Sequence, residues 1–169
     1  MGAAQPSTPV GKIGPSWHTE LMLKRTVTQN KPAKVKRITI HGVEQARVAC
    51  QAAFRTSMKD NVTLELWSAK NGASSLGPAW FYEIVNIVQK EFPGLVIVGV
   101  VDCGDAVGSA LAALRHGITC IYISERPAVV AKIRAIAKYT RAEVRTKRPV
   151  MPDLMEHPEP LEILHTHFS

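Results

Sequence analysis

LVIVGVVDCGDAVGSALAALRHG, residues 95–117, is the most informative stretch of this 169-residue chain. Its first eight residues are apolar apart from Gly99 and the terminal Asp102, which is typical of a strand buried on both faces of a parallel sheet. A turn and a helix of small residues follow directly. The stretch therefore predicts half of a βαβ unit, with Asp102 at the carboxyl end of its strand, where open α/β sheets bind ligands.

The same strand–helix pattern repeats along the middle of the chain. Predicted strands begin near residues 37, 62, 95, 119 and 142, with helices between them. This alternation favours an α/β fold with a parallel five-stranded sheet and helices on both faces. Two arrangements are expected: a flavodoxin-like open sheet of strand order 2-1-3-4-5, or an open half of a βα barrel. The open sheet is preferred. Within the sheet, VTLELW at residues 62–67 alternates enough to suggest a strand nearer an edge.

Charge divides the chain into three parts. Residues 1–37 hold seven Lys or Arg and one acid, whereas residues 150–169 hold four acids and no Lys or Arg. Both ends are also rich in proline, which favours extended structure. We therefore expect a basic extended N-terminal arm at 1–37, an α/β domain at 38–149 and an acidic, proline-rich C-terminal tail at 150–169.

Cysteine usage and hydropathy bear on the compartment. The three cysteines have no C-x-x-C spacing, and an odd number cannot all pair within the chain. No apolar run approaches the roughly 20 residues that span a bilayer, and no secretory signal is visible at the amino terminus. The sequence predicts a cytoplasmic protein without a membrane span. It shows no cofactor or metal motif, so neither is expected.

Polar residues follow each predicted strand, and parallel strands deliver them to one edge of the sheet. Asp102 is the candidate catalytic acid or base, because it directly follows a buried strand. Candidate ligand-binding residues are His41, Lys70, Asn71, Asp105, Ser124, Lys147 and Arg148. An alternative is that Asp102 or Asp105 only caps the next helix through its backbone N–H groups.

The order of three of these residues resembles that of the receiver domains of bacterial two-component signalling. Asp102 ends the third strand, Ser124 ends the fourth, and Lys147 closes the fifth with Pro149 two residues on. They match in kind the phosphoacceptor aspartate, the hydroxyl switch and the lysine of that family. Receivers also need an acidic pair after the first strand to hold Mg²⁺, and residues 40–42 here read Ile-His-Gly. The resemblance thus implies a receiver-like fold without phosphotransfer.

Two functions remain as expectations. The first is a non-catalytic interaction or structural subunit that docks on a protein partner, or on further copies of itself, through its arm and tail. Its candidate partner contacts are Trp17, Leu21, Met22, Lys24 and Arg25, since apolar and basic residues of this kind anchor a segment on a partner. The second is an enzyme or sensor that binds an anionic, phosphorylated ligand at the strand ends. The low aromatic content and the lack of a DNA- or RNA-recognition motif weigh against a nucleic-acid ligand. The sequence leaves open whether any reaction is catalysed.

Overall fold

The computed structural model describes residues 33–57, 61–156 and 160–168. The predicted partner contacts lie outside these residues: Trp17, Leu21, Met22, Lys24 and Arg25. The interaction hypothesis that rests on them stays a prediction.

Strands and helices alternate as the sequence pattern predicts. The strands are β1 Lys34–Ile40, β2 Val62–Ser68, β3 Val96–Asp102, β4 Cys120–Tyr122 and β5 Glu143–Arg145. The helices are α1 Val43–Ser57, α2 Gly72–Ser75, α3 Pro78–Glu91, α4 Val107–Arg115, α5 Pro127–Tyr139 and α6 Pro160–Phe168. Most bounds agree with the predicted ones to within a few residues, but α2 falls in a predicted loop and α6 in the predicted tail. None of these helices is both long and apolar enough to cross a membrane.

The five strands form one sheet in which every neighbouring pair is parallel. The predicted α/β class with a parallel five-stranded sheet is therefore confirmed. The predicted strand order 2-1-3-4-5 is wrong, because the observed order is β1-β2-β3-β4-β5. Strand β2 lies inside the sheet, with Trp67 between Thr39 and Val100 in register. A sequential order of this kind belongs to the second expected arrangement, the open half of a βα barrel.

The helices of the described residues pack on one face of the sheet, whereas helices on both faces were predicted. The main core combines strand residues such as Leu66 and Val101 with residues of α1 and α3 to α6. At Gly99 an added Cβ would lie 2.5 Å from Val85 Cγ2, so α3 packs directly on β3. The other face carries a small cluster without helical residues: Trp67, Val100 and Cys120, with Val98, Tyr122 and Met151 beside them. Sequential right-handed crossovers produce this arrangement, because each one brings its helix to the same face.

An ion pair across the helix-free face shows that the sheet is curled. Arg145 Nη1 in β5 lies 2.8 Å from Glu65 Oε2 in β2. The two strands are three strand spacings apart, about 14 Å in a flat sheet. Side chains that stand roughly perpendicular to a flat sheet cannot close a lateral gap of that size. The sheet therefore curves with this side inward, and we call it the concave face.

Residues 146–154, which we call the strap, cross the concave face after β5. Arg148 places its guanidinium 5.4 Å from the ring centre of Trp67, and Met151 packs against the same cluster. The strap thus covers apolar side chains that none of the described helices covers.

The strap ends alongside β1. The backbone N–H of Thr39 donates to Pro152 O at 2.9 Å, and the N–H of Leu154 donates to Thr39 O at 3.1 Å. Leu154 is buried, and α6 then packs on α1. In the described segments 150–156 and 160–168, Leu154, Leu164 and Phe168 are buried in the main core. These segments therefore pack on the domain and are not a free extended tail. At the other end β1 begins at Lys34, so residues 34–37 belong to the sheet and not to an arm.

A matched pair of neighbouring residues tests whether the strap is part of the fold. Leu154→Ala should lower the free energy of unfolding by about 2–5 kcal/mol, because it removes a fully buried side chain. Met155→Ala, at a position that is 64% exposed, should change it by less than about 0.5 kcal/mol. Urea unfolding followed by circular dichroism measures both. Equal effects of the two substitutions would show that the strap is not packed on the domain.

Candidate ligand site at the carboxyl ends of the strands

A cleft of about 340 Å³ opens where β3 and β4 end. We call it the rim cleft. Its lining residues are Lys70, Asn71, Asp102, Gly104, Asp105, Tyr122, Ser124 and Arg148. Six of these are candidates from the sequence: Asp102, Lys70, Asn71, Asp105, Ser124 and Arg148. The parallel sheet brings them together because it delivers every strand end to one edge.

Asp102 is held by hydrogen bonds on both carboxylate oxygens. Its side chain is only 2% exposed. Oδ1 accepts the backbone N–H groups of Gly104 at 2.9 Å and of Asn71 at 3.2 Å. Oδ2 accepts Arg148 Nη1 at 2.5 Å. A buried carboxylate requires such partners, because an unpaired charge in the interior costs several kcal/mol.

Arg148 reaches this carboxylate from the strap and contacts two further strands. Its Nη2 donates to Thr39 Oγ1 of β1 and to the backbone O of Ser68 of β2, both at 3.1 Å. The Ser68 hydroxyl accepts the N–H of Asp102 at 2.9 Å. The guanidinium is therefore fixed against the ends of β1, β2 and β3, with its side chain 16% exposed.

Two residues with positive φ shape the turns at the cleft. Asn71 has φ 54° and Gly104 has φ 56°. A Cβ at Gly104 would collide with Asn71 Oδ1, so only glycine fits both the conformation and the space. These turns aim the N–H groups of both residues at Asp102, and the Ser124 N–H donates to Gly104 O at 2.7 Å.

Of the two roles predicted for Asp102, helix capping is not observed, and the role as a catalytic acid or base stays a prediction. The residue that precedes α4 is Ala106, and no side chain caps this helix, so neither Asp102 nor Asp105 is its cap. Two hydrogen bonds to Oδ1 and one to Oδ2 hold this carboxylate in place. The geometry supports Asp102 as the residue that positions Arg148.

Two predicted ligand-binding residues do not line the rim cleft. His41 Nε2 lies 2.7 Å from Asp153 Oδ1, so this side chain ties the strap to the end of β1. Lys147 lies in a second depression of about 770 Å³, which we call the basic groove. Its lining residues are Arg37, Trp67, Arg134, Glu143, Val144, Arg145, Thr146, Lys147, Arg148 and Pro149.

A buried carboxylate in β2 was not among the predicted site residues. Glu65 is 4% exposed, and its Oε2 accepts hydrogen bonds from Arg37, Arg145 and Trp67. Burial alone would raise the pKa of Glu65, but these partners outweigh it and hold the pKa below its usual value. The only sequence signal for this buried carboxylate is the alternation of VTLELW, a pattern that predicts a strand near an edge.

All three cysteines are buried among apolar side chains. Burial is the main reason that the pKa of each thiol, Cys50, Cys103 and Cys120, rises to about 12. Although Cys103 follows Asp102 directly, it packs in the main core and does not line the rim cleft.

The structure does not reproduce the receiver arrangement. The strand order differs, and Lys147 lies in the basic groove while Asp102 and Ser124 line the rim cleft. Comparison with the known protein families finds no matching family model, and comparison with the curated proteins finds no match. Within the described ranges, no group of three or more His, Cys, Asp and Glu side chains could hold a metal ion.

The lowered pKa of Glu65 predicts an acid-dependent contribution to stability. A carboxyl whose pKa is lower in the folded state stabilises the fold at neutral pH and loses this contribution as the pH falls through that pKa. Glu65→Gln should therefore cost about 3–5 kcal/mol at pH 7, and the difference from the unsubstituted protein should shrink below about pH 4. Urea unfolding between pH 7 and pH 3 measures this difference. Glu83→Gln, at an exposed position, is the control. A difference in unfolding free energy for Glu65→Gln that stays constant with pH would contradict the pairing of Glu65 with the arginines.

Thiol reactivity gives a second test of the core. With a pKa near 12 and no exposure, the three thiols of the folded protein should not react with an aromatic disulfide reagent at pH 8 over minutes. In about 8 M urea, which should unfold the protein, all three thiols should react. An Ala131→Cys variant, which adds an exposed thiol on α5, should give one fast equivalent. Rapid reaction of any native cysteine would contradict the described packing.

Proposed function

We propose that the rim cleft binds a small anionic ligand, of which a phosphorylated metabolite is the leading class. Arg148 and Lys70 are the cationic contacts, and Asp102 positions Arg148. The proposal concerns binding and assigns no reaction.

The buried Asp102–Arg148 pair is the observation that carries this proposal. A guanidinium has five N–H donors, and three of them are used by Asp102, Thr39 and Ser68. The remaining donors have no protein partner within the part of the chain that the structure describes. A fixed guanidinium with spare donors beside a cleft can bind an oxyanion at little entropic cost.

Few charged side chains determine the electrostatic potential inside the rim cleft. Asp102 and Arg148 largely offset each other's charge because they are paired, so Arg148 contributes hydrogen-bond donors more than net charge. Lys70 and Asp105 are both exposed at the mouth, so a lysine can reach an anion while a carboxylate accepts a hydroxyl group. The hydroxyls of Tyr122 and Ser124 can also bond such groups. A ligand with one anionic group and several hydroxyls satisfies all of these side chains.

The two turns with positive φ give independent support. Residues held in uncommon backbone conformations cluster at ligand sites, where the surrounding structure must enforce them. Here Asn71 and Gly104 hold the backbone that bonds Asp102, and both line the rim cleft.

Titration with inorganic phosphate tests the proposal. Lys70→Gln should raise the dissociation constant of phosphate about tenfold, the loss expected for one charged hydrogen bond. Because Lys70 is exposed, the substitution should not change the thermal midpoint. Amide chemical-shift changes at Gly104 and Ser124 measure the affinity by NMR.

Lys90→Gln, at an exposed lysine of α3 outside the rim cleft, is the matched control and should leave phosphate binding unchanged. Equal affinities for the two variants would contradict the proposal, as would shifts in other parts of the protein only.

A further inference from the structure

We infer that the ligand of the rim cleft carries a second anionic group, which binds in the basic groove on the other side of Arg148. The inference rests on the proposed function and names the ligand class more closely, as a small molecule with two separated anionic groups such as a bisphosphate.

The two depressions meet at one side chain. Arg148 lines both the rim cleft and the basic groove. Its Nη1 bonds Asp102 at the floor of the cleft, while its guanidinium lies over Trp67 at the floor of the groove. The rim cleft and the basic groove are therefore neighbours that share Arg148 as a lining residue.

The charges of the basic groove do not balance. Arg37 and Arg145 are paired with Glu65, and Arg145 also with Glu143. Arg134 and Lys147 line the same groove, and in the described residues neither has a carboxylate partner. The groove therefore has a net positive charge that the fold does not neutralise.

Arg134 and Lys147 also have no structural task in the described residues. Both are exposed, whereas the arginines that the fold needs are partly buried and hydrogen-bonded to carboxylates. Two exposed cations beside fixed guanidinium groups form a site in which an oxyanion replaces the missing carboxylate. Lys147 was a predicted ligand-binding residue, and this site gives it a role that the rim cleft does not.

The floor of the groove favours a small molecule over a single-stranded nucleic acid. Nucleic acids bind such grooves by stacking bases on aromatic rings. Trp67 is fully buried, and the guanidinium groups of Arg145 and Arg148 lie 5.7 Å and 5.4 Å from its ring centre. No ring face is left on which a base could stack.

Fructose 6-phosphate and fructose 1,6-bisphosphate are suitable probes, because they differ by one phosphate group. Isothermal titration at about physiological ionic strength, where distant charges are screened, gives both affinities. The full-length protein should bind the bisphosphate about tenfold more tightly than the monophosphate, the gain expected from one further charged contact. Lys147→Gln and Arg134→Gln should each remove most of this gain and leave the monophosphate affinity unchanged.

Lys132→Gln is the matched control, because Lys132 is an exposed residue of α5 that does not line the groove. It should leave both affinities unchanged, whereas Lys70→Gln should weaken both probes. All variants change exposed side chains, so thermal midpoints should not move.

The outcomes separate the two proposals. If the monophosphate binds with dependence on Lys70 but the bisphosphate binds no more tightly, the second anionic group is overturned and the proposed function stands. If neither probe nor inorganic phosphate binds, both are overturned. A ten-nucleotide thymidine strand that binds more tightly than the bisphosphate, with dependence on Lys147, would overturn the small-molecule class in favour of nucleic acid.

Discussion

Two buried carboxylates and the arginines that neutralise them determine how the sheet of this protein is shaped. Glu65 lies in β2 and Asp102 ends β3, and their partners Arg145 and Arg148 come from β5 and the strap. Removing one partner of such a pair leaves an uncompensated buried charge, which costs several kcal/mol. In the curled sheet Arg145 of the edge strand β5 reaches Glu65, and the strap brings Arg148 to Asp102. The curvature and the path of the strap thus bring both charge pairs together.

The same pairing links the stability of the fold to its candidate site. Arg148 crosses the face that no helix covers and shields Trp67 from solvent. It also brings a positively charged group to the point where the rim cleft and the basic groove meet. Because Asp102 and the strand ends hold this group in place, the proposed anion would need little ordering of the side chain. A residue that the fold requires is thus also the residue that the proposed ligand contacts.

Strand β2 was predicted near an edge but lies inside the sheet, and it shows where the sequence pattern was ambiguous. Residues 62–67 alternate between apolar and polar side chains, which is typical of a strand with one face in water. In the structure Glu65 faces the concave side, where Arg37 and Arg145 replace water. A paired buried charge and a solvated charge give the same alternation. Only the positions of the partners, which are distant in sequence, distinguish an inner strand from an edge strand.

The sequence by itself determined the elements and most of the candidate site. Hydrophobic periodicity and turn residues act over a few residues, so they place the strands, the long helices and the polar residues at the strand ends. The strand order, the single helical face and the strap were decided only by the tertiary structure. Each depends on contacts between distant segments, such as Leu154 with β1 and Arg148 with Asp102. No local pattern specifies these contacts, because their stability comes from burial and charge pairing that exist only once the chain has folded.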